Sequence, residues 1–215
     1  MPYRETDATR RRAEERRASL LTAARALVAR HGFAGAKVSA IADAAGTSTG
    51  LVYSYFDNRD ELLATVFRDS ASHELAMTRH ATTTSGPDVA GRLEAFIRTF
   101  AGRALRGRQL AWALLFEPVS PLVEAERLVY RRAYIDIAEH LVRDGIDTGA
   151  FAPQHPGVSG AATIGAISES LIGRLNPLGH DSLDGLPDET IVDDIVLYCH
   201  RALGASVIEP KETSR

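Results

Sequence analysis

At 215 residues, with 45% hydrophobic residues and a single cysteine, the chain can bury a substantial core and is not a disulfide-stapled scaffold. No apolar run approaches the length of a membrane span and the N-terminus is charged rather than signal-like, so a cytoplasmic protein is expected. The formal net charge of −3 hides an asymmetry: residues 1–60 carry ten Lys/Arg against seven Asp/Glu, and residues 61–215 carry 15 against 21, a basic end on an acidic body.

In chain order, residues 1–13 read as a basic arm without fixed structure. The Arg10–Arg12 cluster, with Arg16 and Arg17 just beyond, is open to two readings: contact with nucleic-acid phosphates or the minor groove, or a solvated helical face. A first helix is predicted over 14–30, with Leu20, Leu21, Ala24, Leu27 and Val28 as its buried stripe. Gly32 follows where a left-handed cap would end it.

Residues 38–56 are the most specific segment. Ile41, Ala42 and Ala45 recur at helical intervals, so one face of a short helix is apolar. Gly46 stands where a sharp turn needs a positive φ, and Ser48 suits the N-cap of a second short helix. Val52 and Phe56, four apart, would face inward, which leaves Thr49, Gly50, Leu51, Tyr53, Ser54 and Tyr55 facing out. The order of small residue, glycine, cap and aromatics predicts a helix-turn-helix and makes double-stranded DNA the first partner to consider. Lys37 and Ser39 fall at the N-terminus of the first of these helices, where backbone N–H groups favour a phosphate.

A fourth helix is predicted over 58–80, capped by Asp57 or Asn58, with Asp60 and Glu61 favourable in its first turn. The run from Thr82 to Pro87 reads as a break. Helices are then expected over 89–105, 109–116, 122–142, 156–175 and 188–203, the last stopped by Gly204, with residues 206–215 as a disordered tail. No strand pattern or internal repeat is present. The expectation is an all-α chain of about nine helices: a DNA-binding domain over 14–60 and a helical ligand-binding and dimerisation domain over 61–205.

Within the second region, Phe96, Phe100, Trp112, Phe116, Tyr130 and Tyr134 supply apolar walls with polar handles, a candidate lining for a small organic ligand or simply core. Arg108, Glu117 and Glu169 are candidate polar partners there. The last two helices are apolar on more than one side, which suggests burial beyond their own domain. Ile164, Ile167, Leu171, Ile191, Ile195 and Tyr198 are the candidate dimer contacts, and an intramolecular core is the alternative. Cys199, among apolar neighbours, reads as a core residue. The seven histidines are scattered and no nucleotide-binding, nucleophile-elbow or zinc-protease motif occurs, so neither an enzyme nor a metal site or cofactor is expected.

Residues 14–68 resemble the DNA-binding domain of the TetR (tetracycline-repressor-like) family of bacterial regulators. The matching residues are Gly32-Phe33, Ile41-Ala42, Ala45-Gly46, Ser48, Gly50, Tyr53, Tyr55-Phe56, Asn58-Arg59 and Glu61-Leu62. Residues 85–205 are similar to that family only in architecture. The chain departs from the family pattern at Thr47, Lys37 and Leu51, where valine and two threonines are usual. The resemblance implies phosphate contacts from Tyr53, Tyr55 and Arg59 and base-edge contacts from Thr49, Gly50, Leu51 and Ser54. It also implies a four-helix dimer interface, and a repressor that binds a two-fold operator as a homodimer and is released by a small, largely apolar or aromatic ligand. A regulator without an effector, or an activator, is the alternative.

Overall fold

The computed structural model describes residues 7–179 and 183–205. Among them are nine α-helices and no strand: α1 (Asp7–Gly35), α2 (Val38–Ala44), α3 (Thr49–Tyr55), α4 (Arg59–Thr84), α5 (Val89–Arg106), α6 (Arg108–Leu115), α7 (Pro121–Asp147), α8 (Pro156–Leu175) and α9 (Asp188–Ala202). The expected tail over 206–215 and the first six residues of the expected arm lie outside the described residues.

Two helices run further than their apolar stripes suggest. α1 begins at Asp7 rather than near residue 14, so the described part of the basic arm is helical. Its first turns bury almost nothing, the first buried side chain being Leu20. Arginine, alanine and glutamate extend it because they lose little freedom in a helix, and Asp7 faces the positive end of the dipole. α4 likewise continues through the threonines read as a break. The Thr82 hydroxyl donates to the Thr78 carbonyl at 2.8 Å and the Thr84 hydroxyl to that of His80 at 2.9 Å, binding the last turn back onto the helix.

The helices fall into two compact units. The first gathers residues up to 72 with 109–129. Its core holds Leu20, Ala24, Val28, Phe33, Ile41, Val52, Phe56 and Phe67, all buried, with the Phe33 and Phe67 rings 6.0 Å apart. α4 starts from a reciprocal cap. The Asn58 side chain accepts from the Glu61 N–H at 2.9 Å, and the Glu61 carboxylate accepts from the Asp57 N–H at 2.6 Å. The Arg127 guanidinium donates to the carbonyls of Ala113, Leu114 and Glu117, fastening the end of α6 to α7.

The second unit gathers residues 73–108 and those from 130 onward. α5 packs against α8 and α9, and these two pack on each other. Leu93, Phe96, Ile97, Ile164, Ile167, Leu171, Ile191 and Ile195 make this core. Asp88 caps α5, accepting from the N–H groups of Ala90 and Gly91. Cys199 is buried as expected, and burial pushes its thiol up to about 11, so the unreactive thiol form persists at neutral pH.

Candidate nucleic-acid interface and cavity

α2 and α3 meet at a turn whose centre is Gly46, at φ +63°. That left-handed conformation costs a residue with a Cβ about 1–2 kcal/mol. Ile41, Ala42, Val52 and Phe56 are buried at the junction, as their spacing required. The Ser48 hydroxyl accepts from the Leu51 N–H at 3.3 Å and so caps α3. Lys37 occupies the N-cap of α2 without a side-chain capping bond, which leaves its ammonium exposed.

The outward set largely holds. Lys37, Ser39, Ser48, Thr49, Gly50 and Ser54 are exposed, and Tyr53 is 53% exposed, while Leu51 and Tyr55 are half-buried. The Ser54 hydroxyl donates to the Leu51 carbonyl at 2.7 Å, which leaves its oxygen lone pairs for an outside donor. Hydroxyls, a bare glycine backbone and one apolar side chain therefore share the outer surface of a seven-residue helix. The Arg17 guanidinium lies 4.9 Å from the centroid of the Phe56 ring and so braces the end of α3.

Arg59 departs from the role implied for it. Its Nε donates to the Ala36 carbonyl at 3.2 Å and its Nη2 to the Phe33 carbonyl at 2.5 Å. The guanidinium is thus occupied with the chain between α1 and α2 rather than free for a phosphate. Arg59→Ala should cost about 1.5–3 kcal/mol of stability, the usual worth of hydrogen bonds to a charged group. The salt dependence of DNA binding should stay as it is, since each phosphate that a protein neutralises accounts for about 0.9 of that slope. Thermal melts and binding titrations across salt concentrations would check the pair, and a shallower slope would restore the phosphate role.

Glu117 is the residue that sequence reasoning misplaces. Its carboxylate is not a ligand partner: only 8% exposed, it accepts from the backbone N–H groups of Phe33 and Ala34, both at 2.8 Å. Gly32 makes the approach possible. It sits at φ +69°, kinking α1, and a Cβ there would fall 2.5 Å from a Glu117 oxygen. Phe33 is thus gripped twice, at its N–H by Glu117 and at its carbonyl by Arg59. The segment leading into Lys37 and α2 is fixed from both sides. No local pattern signals this, because the partners are 84 positions apart.

The six aromatics divide between the two units. Tyr134 meets Phe100 at 5.0 Å and Phe96 at 6.5 Å, edge to face, in the second unit. Trp112 and Phe116 pair at 5.6 Å in the first. Phe96 and Phe100 are buried core side chains, and Tyr130 is half-buried. Burial raises the Tyr134 hydroxyl well above its usual range, and a hydrogen bond with Thr78 offsets part of that. The second unit holds a cavity of about 330 Å³ elsewhere, among α4, α5 and α7, where Arg79, Thr82 and Arg92 face an apolar wall from α7. None of the six aromatics lines it. Of the other candidate polar partners, Arg108 pairs with Asp188 at 2.8 Å and Glu169 is exposed on α8.

The candidate dimer contacts need a larger correction. Ile164, Ile167, Leu171, Ile191 and Ile195 are buried within the chain itself, so a partner cannot cover them; only Tyr198 is exposed, at 62%. The apolar face that α8 and α9 leave open is another one: Val158 (65% exposed), Ala161, Ala162 and Ile172 on α8, with Leu197 and Tyr198 on α9. On α8 the outward apolar stripe is not the expected one, and on α9 the outward apolar residues are the neighbouring Leu197 and Tyr198.

Residues 20–66 match the family described as bacterial regulatory proteins, tetR family. Over 138 residues the chain is 30% identical to the HTH-type transcriptional repressor KstR2 of Rhodococcus jostii (strain RHA1), covering 60% of this chain and 67% of that protein. Among solved structures, the fatty acid degradation regulator FadR from Bacillus halodurans superposes with a TM-score of 0.70 at 19% identity, over 85% of this chain and 93% of that one. AibR, solved in complex with isovaleryl coenzyme A and operator DNA, superposes with a TM-score of 0.66 at 19% identity, over 89% of this chain and all of that one. Among the described residues, no helix is long and apolar enough to cross a membrane and no cluster of candidate metal ligands occurs.

Proposed function

Because the chain belongs to the TetR family of bacterial transcriptional regulators, we propose that it is a repressor that binds a two-fold operator as a homodimer and is released by a small organic ligand. The observation that carries the reading is the exposed outer face of α3, capped by Ser48 and seated on a buried junction. One such helix makes few base contacts, each worth about 1–3 kcal/mol of discrimination, so two copies spaced by roughly one DNA turn are needed for a specific site. The open apolar face of α8 and α9 supports pairing of two chains. The cavity in the second unit supports an effector, as does the likeness to AibR, whose structure holds both isovaleryl coenzyme A and operator DNA.

Tyr53 and Leu51 divide the work of binding. The Tyr53 hydroxyl donates to a phosphate and sets register, whereas Leu51 offers an apolar contact for which a thymine methyl is the natural target. Tyr53→Phe should weaken operator and unrelated DNA to a similar degree. Leu51→Ala should alter the preferred sequence. Binding-site selection on the two variants checks both, and an unchanged preference for Leu51→Ala would remove Leu51 from the reading surface.

The primary test is a shift assay on DNA upstream of the protein's own gene, with competitor and at two salt concentrations. A discrete, competitor-resistant complex containing two chains is the expected result. Screening the same complex against small organic compounds tests the effector, and release by none of them would leave a regulator without one.

A further inference from the structure

The cavity among α4, α5 and α7 is walled on one side by Ala133, Ile137 and Leu141, spaced four apart on α7 and so forming a single apolar stripe. Its polar residues are unevenly neutralised. Asp136 is held by Arg132 at 2.8 Å, and Arg92 shares Asp144 at 3.1 Å while remaining partly accessible. The His140 Nδ1 donates to the Asp136 carbonyl at 2.6 Å. Arg79 has no hydrogen-bond or ion-pair partner among the described residues. An unpaired guanidinium beside an apolar wall favours one kind of guest, because its planar fork matches carboxylate and phosphate oxygens two at a time.

Resting on the effector reading above, we propose that this cavity receives an organic anion, its apolar body against the α7 stripe and its carboxylate or phosphate group on Arg79, with Arg92 beside it. The volume of about 330 Å³ lies at the small end of ligand sites, which sets the scale of the buried body. Asp136 also lines the cavity, and its pairing with Arg132 offsets the repulsion that its carboxylate would exert on an anion.

The test uses the full-length protein and three probes that share one apolar body: octanoate, octyl phosphate and 1-octanol. Calorimetry should give binding of at least one of the two anions, with 1-octanol at least tenfold weaker. The preferred anion identifies the headgroup. Arg79→Gln should weaken the anion at least tenfold and leave the alcohol unchanged, while Ala133→Leu, which fills the cavity, should weaken all three. Equal binding of anion and alcohol, unchanged anion affinity in Arg79→Gln, or no binding of any probe would each overturn the proposal. The shift assay separates this inference from the reading beneath it. An anion that binds through Arg79 without releasing operator DNA would keep the ligand class and refute the effector role, and release by neutral compounds alone would do the reverse.

Discussion

Leu197→Glu combined with Tyr198→Glu is expected to turn the protein into a folded monomer that binds its operator about 10³-fold more weakly or worse, the low end of the gap between specific and non-specific binding. Both side chains are exposed on α9 in the single chain, at 38% and 62%, and neither belongs to the chain's buried core. Glutamate also keeps the helix propensity. What changes is the open apolar face shared with Val158, Ala161, Ala162 and Ile172 of α8. Burying such a face contributes about 25 cal/mol per Å² of apolar area, and two unpaired carboxylates within it cost more than that gain. Sedimentation would report the mass, circular dichroism the fold, and the shift assay the affinity. A dimer that persists with full operator binding would place the interface elsewhere. The buried set behaves differently. Ile167→Glu should unfold the second unit rather than separate two chains, because that side chain is fully enclosed by its own.

Glu117→Gln is expected to lower operator affinity by about tenfold to a hundredfold without changing the number of chains in the particle. The substitution keeps shape and removes one acceptor. The amide oxygen can serve one of the two N–H groups at Phe33 and Ala34, and the amide nitrogen then faces the other donor. Leaving a buried N–H unmatched costs about 1–3 kcal/mol, and about 1.4 kcal/mol is a factor of ten. That cost falls on the few residues between the Gly32 kink and the start of α2, which carry Lys37 and set where the helix-turn-helix begins. Hydrogen exchange at Phe33 and Ala34 should quicken while the core amides of α1 keep their protection, a local signature that general destabilisation would not produce. Gly32→Ala should act in the same direction, through a Cβ 2.5 Å from the carboxylate and a left-handed φ. Unaltered exchange and affinity in Glu117→Gln would show that the grip is dispensable.

The helix-turn-helix was legible because every cue in it is local. The small residues of α2, the glycine at the turn, the Ser48 cap and the Val52–Phe56 pair lie within nineteen residues, and each acts on near neighbours. Helix count followed for the same reason, since caps and periodicity act over one or two turns. Boundaries slipped where apolar pattern and helix propensity disagree. The first turns of α1 are helical without burying anything, and the threonines of α4 close their own hydrogen bonds.

Sequence alone therefore determined the succession of helices, the outward face of α3 and the family. Tertiary structure decided which of two apolar stripes faces inward on α8, because both stripes satisfy the same period and only the position of α5 breaks the tie. It also decided the duties of the charged residues. Arg59 and Glu117 look like surface ions in the sequence, yet they close on the backbone of Phe33 from positions 26 and 84 residues away. A buried backbone group takes whichever partner the fold brings within about 3 Å, and no spacing along the chain encodes that distance.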